Sequence, residues 1–180
     1  EFLGHDVLRL NHMGDWGTAF GMLISYIKEE VGEEVLFSKD VDLRHLVAWY
    51  KASKAKFDED EAFKKRSQQE VVLLQGGDKH NLKIWELICR ISETSYEKIY
   101  KLLDIRIIYR GESFYNPMLE KAVKNLEDKG LIQISDGAKC VYVEGYTNRE
   151  GEPLPFMVQK SDGGYNYAST DIASIAHRVK

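Results

Sequence analysis

The chain has 180 residues, of which 43% are hydrophobic, enough to build one ordinary domain or one compact domain with a smaller lobe. Its formal net charge is −4 with acidic and basic residues interspersed, so no block of Lys or Arg indicates a nucleic-acid-binding surface. The apolar runs are too short to span a membrane, and the N-terminus lacks the basic region and cleavage site of a signal peptide.

The cysteines and histidines argue against a metal site. The two cysteines, Cys89 and Cys140, have no CxxC spacing, and none of the five histidines forms a close ligand pair with another. We therefore expect no bound metal. The low cysteine content also fits a reducing compartment, so the sequence predicts a cytoplasmic protein without a membrane partner.

The first part of the chain predicts a strand followed by helices. The predicted elements are a short apolar strand at 5–10, a glycine-rich turn, a helix at about 18–31 ended by Gly32, and two charged amphipathic helices at 39–58 and 59–75. The sequence Gly76-Gly77-Asp78 then marks a clear break.

The most regular element follows this break. Apolar and small residues recur every three or four positions, which predicts one long helix with a continuous stripe. The stripe consists of Leu82, Trp85, Cys89, Ser92, Tyr96, Ile99 and Leu103. Such a stripe is far more often core packing than part of a cofactor site, so we predict that it is buried.

The second half predicts short strands between helices. The predicted elements are a strand at 105–109, a turn, a helix at 116–129, a hairpin around Asp136-Gly137, a polar loop at 147–155, a strand at 156–160 and a helix from about Ser169. This order fits an α/β core whose sheet is interrupted by a helical insertion.

A glycine-rich turn before the first helix is the first candidate site. In LNHMGDWGTAFGMLI, Gly14, Gly17 and Gly21 remove Cβ atoms where a ligand or a neighbouring backbone approaches. A strand, a turn and a helix N-terminus can bind an anion or a nucleotide. The stretch matches neither GxGxxG nor a Walker loop, so a purely structural turn is equally open. Asp15 is a candidate cap of the helix, with Trp16 packed over the turn.

The second candidate site lies in KSDGGYNYASTD, where a tight turn leads into the last helix. Tyr167 and Asp171 are four residues apart, so they can share one helix face. An acid near a helix start usually caps it, and the residues alone favour capping for Asp171. A carboxylate beside a tyrosine would also suit a guanidinium, which pairs with both oxygens and stacks on aromatic rings.

Several blocks give the chain a family resemblance. LNHMGDWGTAFGMLI, RGESFY and KSDGGYNYASTDIA, in this order and spacing, resemble the catalytic domain of arginyl-tRNA synthetases, a class I aminoacyl-tRNA synthetase family. The resemblance extends from Phe2 to Arg178 and includes the block YK.SK..FD..E.FKKR, from Tyr50 to Arg66.

The resemblance implies an α/β fold with a partial Rossmann-like nucleotide-binding core. Residues 1–32 would be the first part of this core, with a strand, the glycine-rich turn and a helix. Residues 33–154 would be an insertion, mainly helical and then with a small β-hairpin patch. Residues 155–180 would return to the core as a strand, a turn and a helix.

The resemblance also assigns roles to both candidate sites. In the family the NHxGDWG turn borders the aminoacyl-adenylate pocket, and the matching residues, with an implied pocket-shaping role, are Asn11, His12, Gly14, Asp15 and Gly17. Ala19 stands where the family pattern usually has Gln. The arginine-recognition pair of the family, in a Y-x-x-x-D motif, falls on Tyr167 and Asp171, which favours substrate recognition over capping for Asp171.

The implied activity is arginine–tRNA ligation: ATP-dependent activation of L-arginine to arginyl-adenylate, then transfer to tRNA(Arg) in translation. L-arginine, ATP with Mg, and tRNA(Arg) are the expected substrates and co-substrates of the intact enzyme. The HIGH-type motif of the family would lie before Glu1 and the KMSKS-type loop after Lys180. The chain is therefore expected to be an internal catalytic-domain segment that holds no catalytic residues and is inactive alone.

Two other functions stay open. A stand-alone arginine-binding or regulatory paralogue would keep the arginine pocket without ligase chemistry. A purely structural α/β domain would bury Tyr167 and Asp171 against protein partners, and arginine would leave its melting temperature unchanged.

Overall fold

A computed structural model describes residues 1–38 and 40–179, which fall into two compact units, Glu1–Tyr109 and the residues from Arg110 onward. The first unit contains β1 (Leu10–Asn11), α1 (Thr18–Tyr26) with a π-helical continuation (Ile27–Val31), α2 (Glu33–Leu36), α3 (Leu43–Glu59), α4 (Glu61–Gln75), α5 (Lys79–Leu102) and β2 (Ile108–Tyr109). The second unit contains a 3₁₀ turn (Glu112–Tyr115), α6 (Asn116–Asp128), β3 (Gln133–Ser135), β4 (Ala138–Thr147), β5 (Pro153–Gln159) and α7 (Tyr167–Arg178). The chain thus combines helices with small sheets, as the sequence predicts.

Helices of the first unit enclose one hydrophobic core. Its buried residues are Leu23, Ile24, Ile27, Leu36, Leu46, Leu74, Ile84 and Ile88. Gly21 lets α1 approach α4 closely, because a Cβ at this position would lie 2.3 Å from both Ser67 O and Val71 Cγ2. The expected close approach of a neighbouring backbone at Gly21 is therefore confirmed.

A polar network joins the same helices. Asn81 of α5 is fully buried, and its Nδ2 donates to Glu70 Oε2 at 2.6 Å and to the Glu70 carbonyl at 3.2 Å. Lys28 Nζ donates to Asn81 Oδ1 at 2.7 Å and to Glu70 Oε2 at 2.9 Å. Since every buried polar group of Asn81 has a partner, the network fixes how the end of α1 lies against α4 and α5.

The two amphipathic helices predicted at 39–58 and 59–75 are confirmed as α3 and α4. Helix α3 begins at Leu43 because Asp42 caps it, with its side chain accepting from the backbone N–H groups of Arg44 and His45. Asp60 caps α4 in the same way. Lys39, the first residue of the predicted helix, lies outside the described residues.

The strands predicted at 5–10 and 105–109 were too long. The structure pairs Leu10 with Ile108 and Asn11 with Tyr109, in parallel, and residues 5–9 are exposed. A strand requires a neighbour that satisfies its backbone groups, and within the described residues this pairing extends over two positions only.

The stripe of the long helix is not the buried line of α5. Within α5 the buried residues are Asn81, Ile84 and Ile88, whereas Ile99 is 56% exposed. Trp85 is half-buried and packs against the core from its side. The prediction of core packing is confirmed for Leu82 and Trp85 and is wrong for Ile99 and Leu103, which are exposed. The line that faces the core is shifted by about one residue, which leaves the stripe at the margin of the core.

The second unit packs α6 and α7 together and carries an antiparallel sheet. Its core contains Tyr115, Leu119, Ala122 and Ala173. The strands have the order β3-β4-β5, and the hairpin turn is confirmed, with positive φ at Asp136 (49°) and Gly137 (78°). Strand β5 begins earlier than predicted, within the expected polar loop.

Candidate functional site

The glycine-rich turn connects β1 to α1. Gly17 takes the N-cap position of α1 with φ 103°, a conformation that L side chains rarely adopt, and its carbonyl accepts from the N–H groups of Phe20 and Gly21. Glycine at this position is therefore required by the backbone. His12 and Gly14 lie on the exposed part of the turn, and Asp15 is half-buried.

The expected cap role of Asp15 is corrected, since Gly17 holds the N-cap position. The backbone carbonyl of Asp15 instead accepts a hydrogen bond of 2.6 Å from Trp85 Nε1. Trp16 packs edge-on against the same indole, with ring centroids 5.7 Å apart and an interplanar angle of 88°. The turn is thus held against α5 through Trp85.

A second contact with α5 holds the start of the turn. Asn11 Nδ2 donates to Tyr100 Oη at 3.0 Å. The Tyr100 ring lies against Tyr96, with centroids 5.5 Å apart, and is stacked near Tyr109 at 6.5 Å and 27°. The three tyrosines therefore form an aromatic cluster next to Asn11.

Two titratable side chains of α5, Cys89 and Tyr96, lie between Trp85 and Tyr100 along the helix and are half-buried. Burial raises the pKa of the Cys89 thiol to about 12, and the negative charges of Asp15 and Glu93 add to the increase. Burial, followed by the charge of Glu93, also raises the pKa of Tyr96. Cys89 and Tyr96 therefore both hold their protons more tightly than an exposed thiol or phenol would.

The second candidate site lies at the start of α7. Asn166 is the N-cap, and its Oδ1 accepts from the N–H groups of Ala168 at 3.1 Å and Ser169 at 3.4 Å. Ser169 Oγ in return accepts from Asn166 N–H at 3.3 Å, which completes a capping box. The capping hypothesis for Asp171 is therefore wrong, because Asp171 lies in the second turn of the helix.

Tyr167 and Asp171 lie one turn apart on α7, so the expected common face is confirmed by the helix. Tyr167 is 68% exposed, and Asp171 is also exposed. The purely structural alternative, which expects both side chains to be buried against protein partners, stays a prediction. An exposed carboxylate beside an exposed phenol ring can pair with a guanidinium and stack on it.

The structure groups the candidate residues into two sets. Asn11, His12, Gly14, Asp15 and Gly17 lie together in one turn of the first unit. Tyr167 and Asp171 lie together in the second unit.

Sequence reasoning missed two residues that hold the turn, Trp85 and Tyr100. Trp85 belonged to the stripe that was interpreted as core. Tyr100 follows Tyr96 by four positions, and this spacing continues the aromatic line along α5. A signal was therefore present in the sequence, although nothing in it identified Asp15 and Asn11 as the partners.

Two further properties concern the part of the chain that the structure describes. None of its helices is both long enough and apolar enough to cross a membrane. Across 1–38 and 40–179, no group of three or more His, Cys, Asp or Glu side chains is placed to hold a metal ion.

Comparisons with known proteins cover the whole chain. Residues 1–180 match the model of a family described as tRNA synthetases class I (R), catalytic domain. A protein named arginine–tRNA ligase from Protochlamydia amoebophila (strain UWE25) is 60% identical over 179 residues, which are 99% of this chain and 31% of that protein. One of the same name from Nostoc sp. (strain PCC 7120 / SAG 25.82 / UTEX 2576) is 54% identical over 180 residues, 100% of this chain and 31% of that protein.

A solved structure is also similar. The crystal structure of arginyl-tRNA synthetase from Plasmodium falciparum matches with a TM-score of 0.79 and 35% identity, over 99% of this chain and 29% of that one. The chain therefore spans less than a third of the length of these three proteins.

Proposed function

The chain belongs to the family of class I arginyl-tRNA synthetase catalytic domains, and we propose that the complete protein is an arginine–tRNA ligase. It would activate L-arginine with ATP to arginyl-adenylate and transfer the arginyl group to the 3′ end of tRNA(Arg). The names and the high identity of the relatives support this activity. The first step is an in-line attack of the arginine carboxylate on the α-phosphate, which depends mainly on positioning.

In this proposal Tyr167 and Asp171 recognise the arginine side chain. The Asp171 carboxylate would accept two parallel hydrogen bonds from the guanidinium, and the Tyr167 ring would stack on its plane. The observation that carries this assignment is that both side chains are exposed on one face of α7, while Asn166 caps the helix. Asp171 is therefore not needed as the cap of α7.

The glycine-rich turn would shape the adenylate pocket. Gly17 sets the path of the backbone into α1, and His12 and Gly14 present the exposed surface of the turn. Asn11 and Asp15 are held from α5, which gives the turn a defined conformation. This arrangement supports a pocket wall whose shape exists before the substrates bind.

The fold proposal keeps a partial Rossmann-like core in 1–32 and 155–180, with an insertion at 33–154. The parallel pairing of β1 with β2 supports it, since parallel strands joined by a helical crossover are the building unit of that fold. In this proposal β2 adds a strand to the core sheet although it lies within the 33–154 segment.

A cytoplasmic location is also part of the proposal and rests on the free thiols of Cys89 and Cys140.

ATP enters this proposal as a substrate, with Mg as its expected counter-ion. The described residues form no cluster that fits a metal ion, so no step assigned to this chain passes through magnesium. The contribution of this chain is recognition of arginine and positioning of the adenylate.

The test is arginylation of tRNA by the complete protein. We expect arginine-dependent, ATP-dependent formation of arginyl-tRNA, and little product with citrulline, whose urea group lacks the charge that Asp171 would pair with. The second candidate, an arginine-binding paralogue, predicts that arginine raises the melting temperature while no aminoacyl-tRNA forms. A protein that neither binds arginine nor charges tRNA would overturn both.

A further inference from the structure

We propose that Tyr100 is a positioning residue, which orients Asn11 and through it the glycine-rich turn that borders the adenylate. This inference rests on the proposed ligase function and deepens it. The proposal assigns a role in the reaction to a helix of the 33–154 segment. Tyr100 itself would not contact the substrates.

The contacts of Tyr100 carry the proposal. Its hydroxyl accepts the hydrogen bond from Asn11 Nδ2 at 3.0 Å, between two half-buried side chains. Asn11 pairs with Tyr109 across the parallel strands, and the Tyr100 ring is stacked near the Tyr109 ring. Tyr100 therefore contacts both residues of one strand pair, one through its hydroxyl and the other through its ring.

The aromatic cluster fixes where the Tyr100 hydroxyl lies. Tyr96 and Tyr109 contact the ring from α5 and β2, and their own centroids are 5.7 Å apart. With neighbours on both elements, the ring has little freedom to rotate, so the hydroxyl is a fixed hydrogen-bond partner. An asparagine amide held by a fixed partner keeps one orientation, which is what a pocket wall requires.

A second hydrogen bond also holds the turn against α5. Trp85 holds the Asp15 carbonyl, and it lies about four helical turns from Tyr100 along the same helix. The turn is thus attached at its beginning and near its end. Loss of the Tyr100 hydroxyl alone should leave the Trp85 attachment, and hence the fold, intact.

The experiment compares Tyr100→Phe with Tyr96→Phe in the complete protein. Tyr100→Phe removes the hydroxyl and keeps the stacked ring. Tyr96→Phe is the matched control, since within residues 1–38 and 40–179 the Tyr96 hydroxyl makes no hydrogen bond. We expect Tyr100→Phe to raise KM for ATP about fivefold to tenfold, the usual effect of one lost hydrogen bond, with KM for tRNA unchanged. Tyr96→Phe should leave both constants unchanged.

A KM readout separates positioning from stability. A merely structural role would reduce the active fraction, so it would lower the maximal rate and leave KM for ATP at its original value. That result, or equal behaviour of the two variants, would overturn the proposal. A wild-type protein without arginylation activity would instead contradict the proposed function itself.

A double-mutant cycle tests the route through Asn11. If Tyr100 acts by orienting Asn11, then Tyr100→Phe should add little to the effect of Asn11→Ala, less than a twofold change in KM for ATP. Fully additive effects of the two substitutions would show that Tyr100 acts on the pocket by another route, and would overturn the assignment.

Discussion

The indole N–H of Trp85 donates a hydrogen bond of 2.6 Å to the backbone carbonyl of Asp15, which joins the middle of the chain to a turn near its start. The turn contains no regular structure that could satisfy this carbonyl internally. Its conformation therefore depends on a residue of the long helix α5.

Replacement of Trp85 tests this dependence. We expect Trp85→Phe to lower the free energy of unfolding by about 1–3 kcal/mol more than Trp49→Phe, because it leaves the Asp15 carbonyl without its donor. Both tryptophans are half-buried against the same core, so Trp49→Phe is a control for lost packing. Urea unfolding measures the difference, and near-ultraviolet circular dichroism should lose the signal of the Trp16–Trp85 pair only in Trp85→Phe. Equal losses of stability would contradict the role of the hydrogen bond.

Two buried positions of α1, Gly21 and Ser25, should respond differently to replacement by alanine. Gly21→Ala should destabilise the protein by about 2–4 kcal/mol, since its Cβ would overlap the Ser67 carbonyl and Val71. Ser25→Ala, one turn further along α1, should be neutral or slightly stabilising. The Ser25 hydroxyl is buried and has no hydrogen-bond partner among the described residues. Thermal unfolding of the two variants gives the comparison, and a neutral Gly21→Ala would show that the helices can separate at little cost.

The Cys89 thiol predicts a pH dependence of stability. Burial raises its pKa from 9.0 to about 12, so the folded state holds the proton more tightly than the unfolded state. The stabilising contribution is complete below pH 9 and is lost as the pH rises from 9 to 12. In a Cys140→Ala background, the alkylation rate of the remaining thiol should stay low at pH 9 and rise near pH 12.

Glu93→Gln provides the control for Cys89. It removes a nearby negative charge and keeps the size of the side chain, so the pKa of the thiol should decrease. The pH midpoint of alkylation is also measured in the Cys140→Ala protein with Glu93 intact. If this midpoint lay at the ordinary pKa of a thiol, it would contradict the burial of Cys89.

The role of Asp171 can be separated from helix capping. We expect Asp171→Asn to raise KM for arginine about a hundredfold, as one charged, bidentate contact is lost, with little change in melting temperature. Asn166→Ala is the structural control, because it removes the true N-cap and should cost about 1 kcal/mol of stability. Steady-state arginylation and thermal unfolding are measured on both variants. A parallel loss of stability and affinity in Asp171→Asn would return Asp171 to a structural role.

The sequence was sufficient to predict the helices and turns whose signals are local. Asp42 and Asp60 mark the helix starts, Gly32 the end of the first helix, and Asp136-Gly137 the hairpin, because capping and positive φ depend on the residue itself. The capping roles considered for Asp15 and Asp171 were wrong because another residue takes the N-cap position in each case, Gly17 in α1 and Asn166 in α7.

The contacts that hold the candidate site were beyond local reasoning. The bond from Asn11 to Tyr100 and that from Trp85 to Asp15 join residues distant in sequence, and no periodicity encodes such pairs. The predicted length of β1 was wrong for a similar reason, because the strand extends only as far as its pairing with β2. The roles proposed for Tyr167 and Asp171 come from a family motif, and the structure places both exposed residues one turn apart on α7.

The parallel pairing of β1 with β2 has a consequence for the order of folding. These strands lie near the two ends of the first unit in sequence, and α1 to α5 lie between them along the chain. Closing so long a loop costs entropy that only the packed helices between the strands can offset, so we expect the pair to form after the helical core. Contacts formed last are usually the first to open, and amide exchange at Ile108, whose N–H donates to the Arg9 carbonyl, should be faster than at Ile84. The turn that begins at Asn11, which we propose as a pocket wall, would then be the part of this unit most sensitive to mild destabilisation, and the proposed activity would decline before the helices unfold.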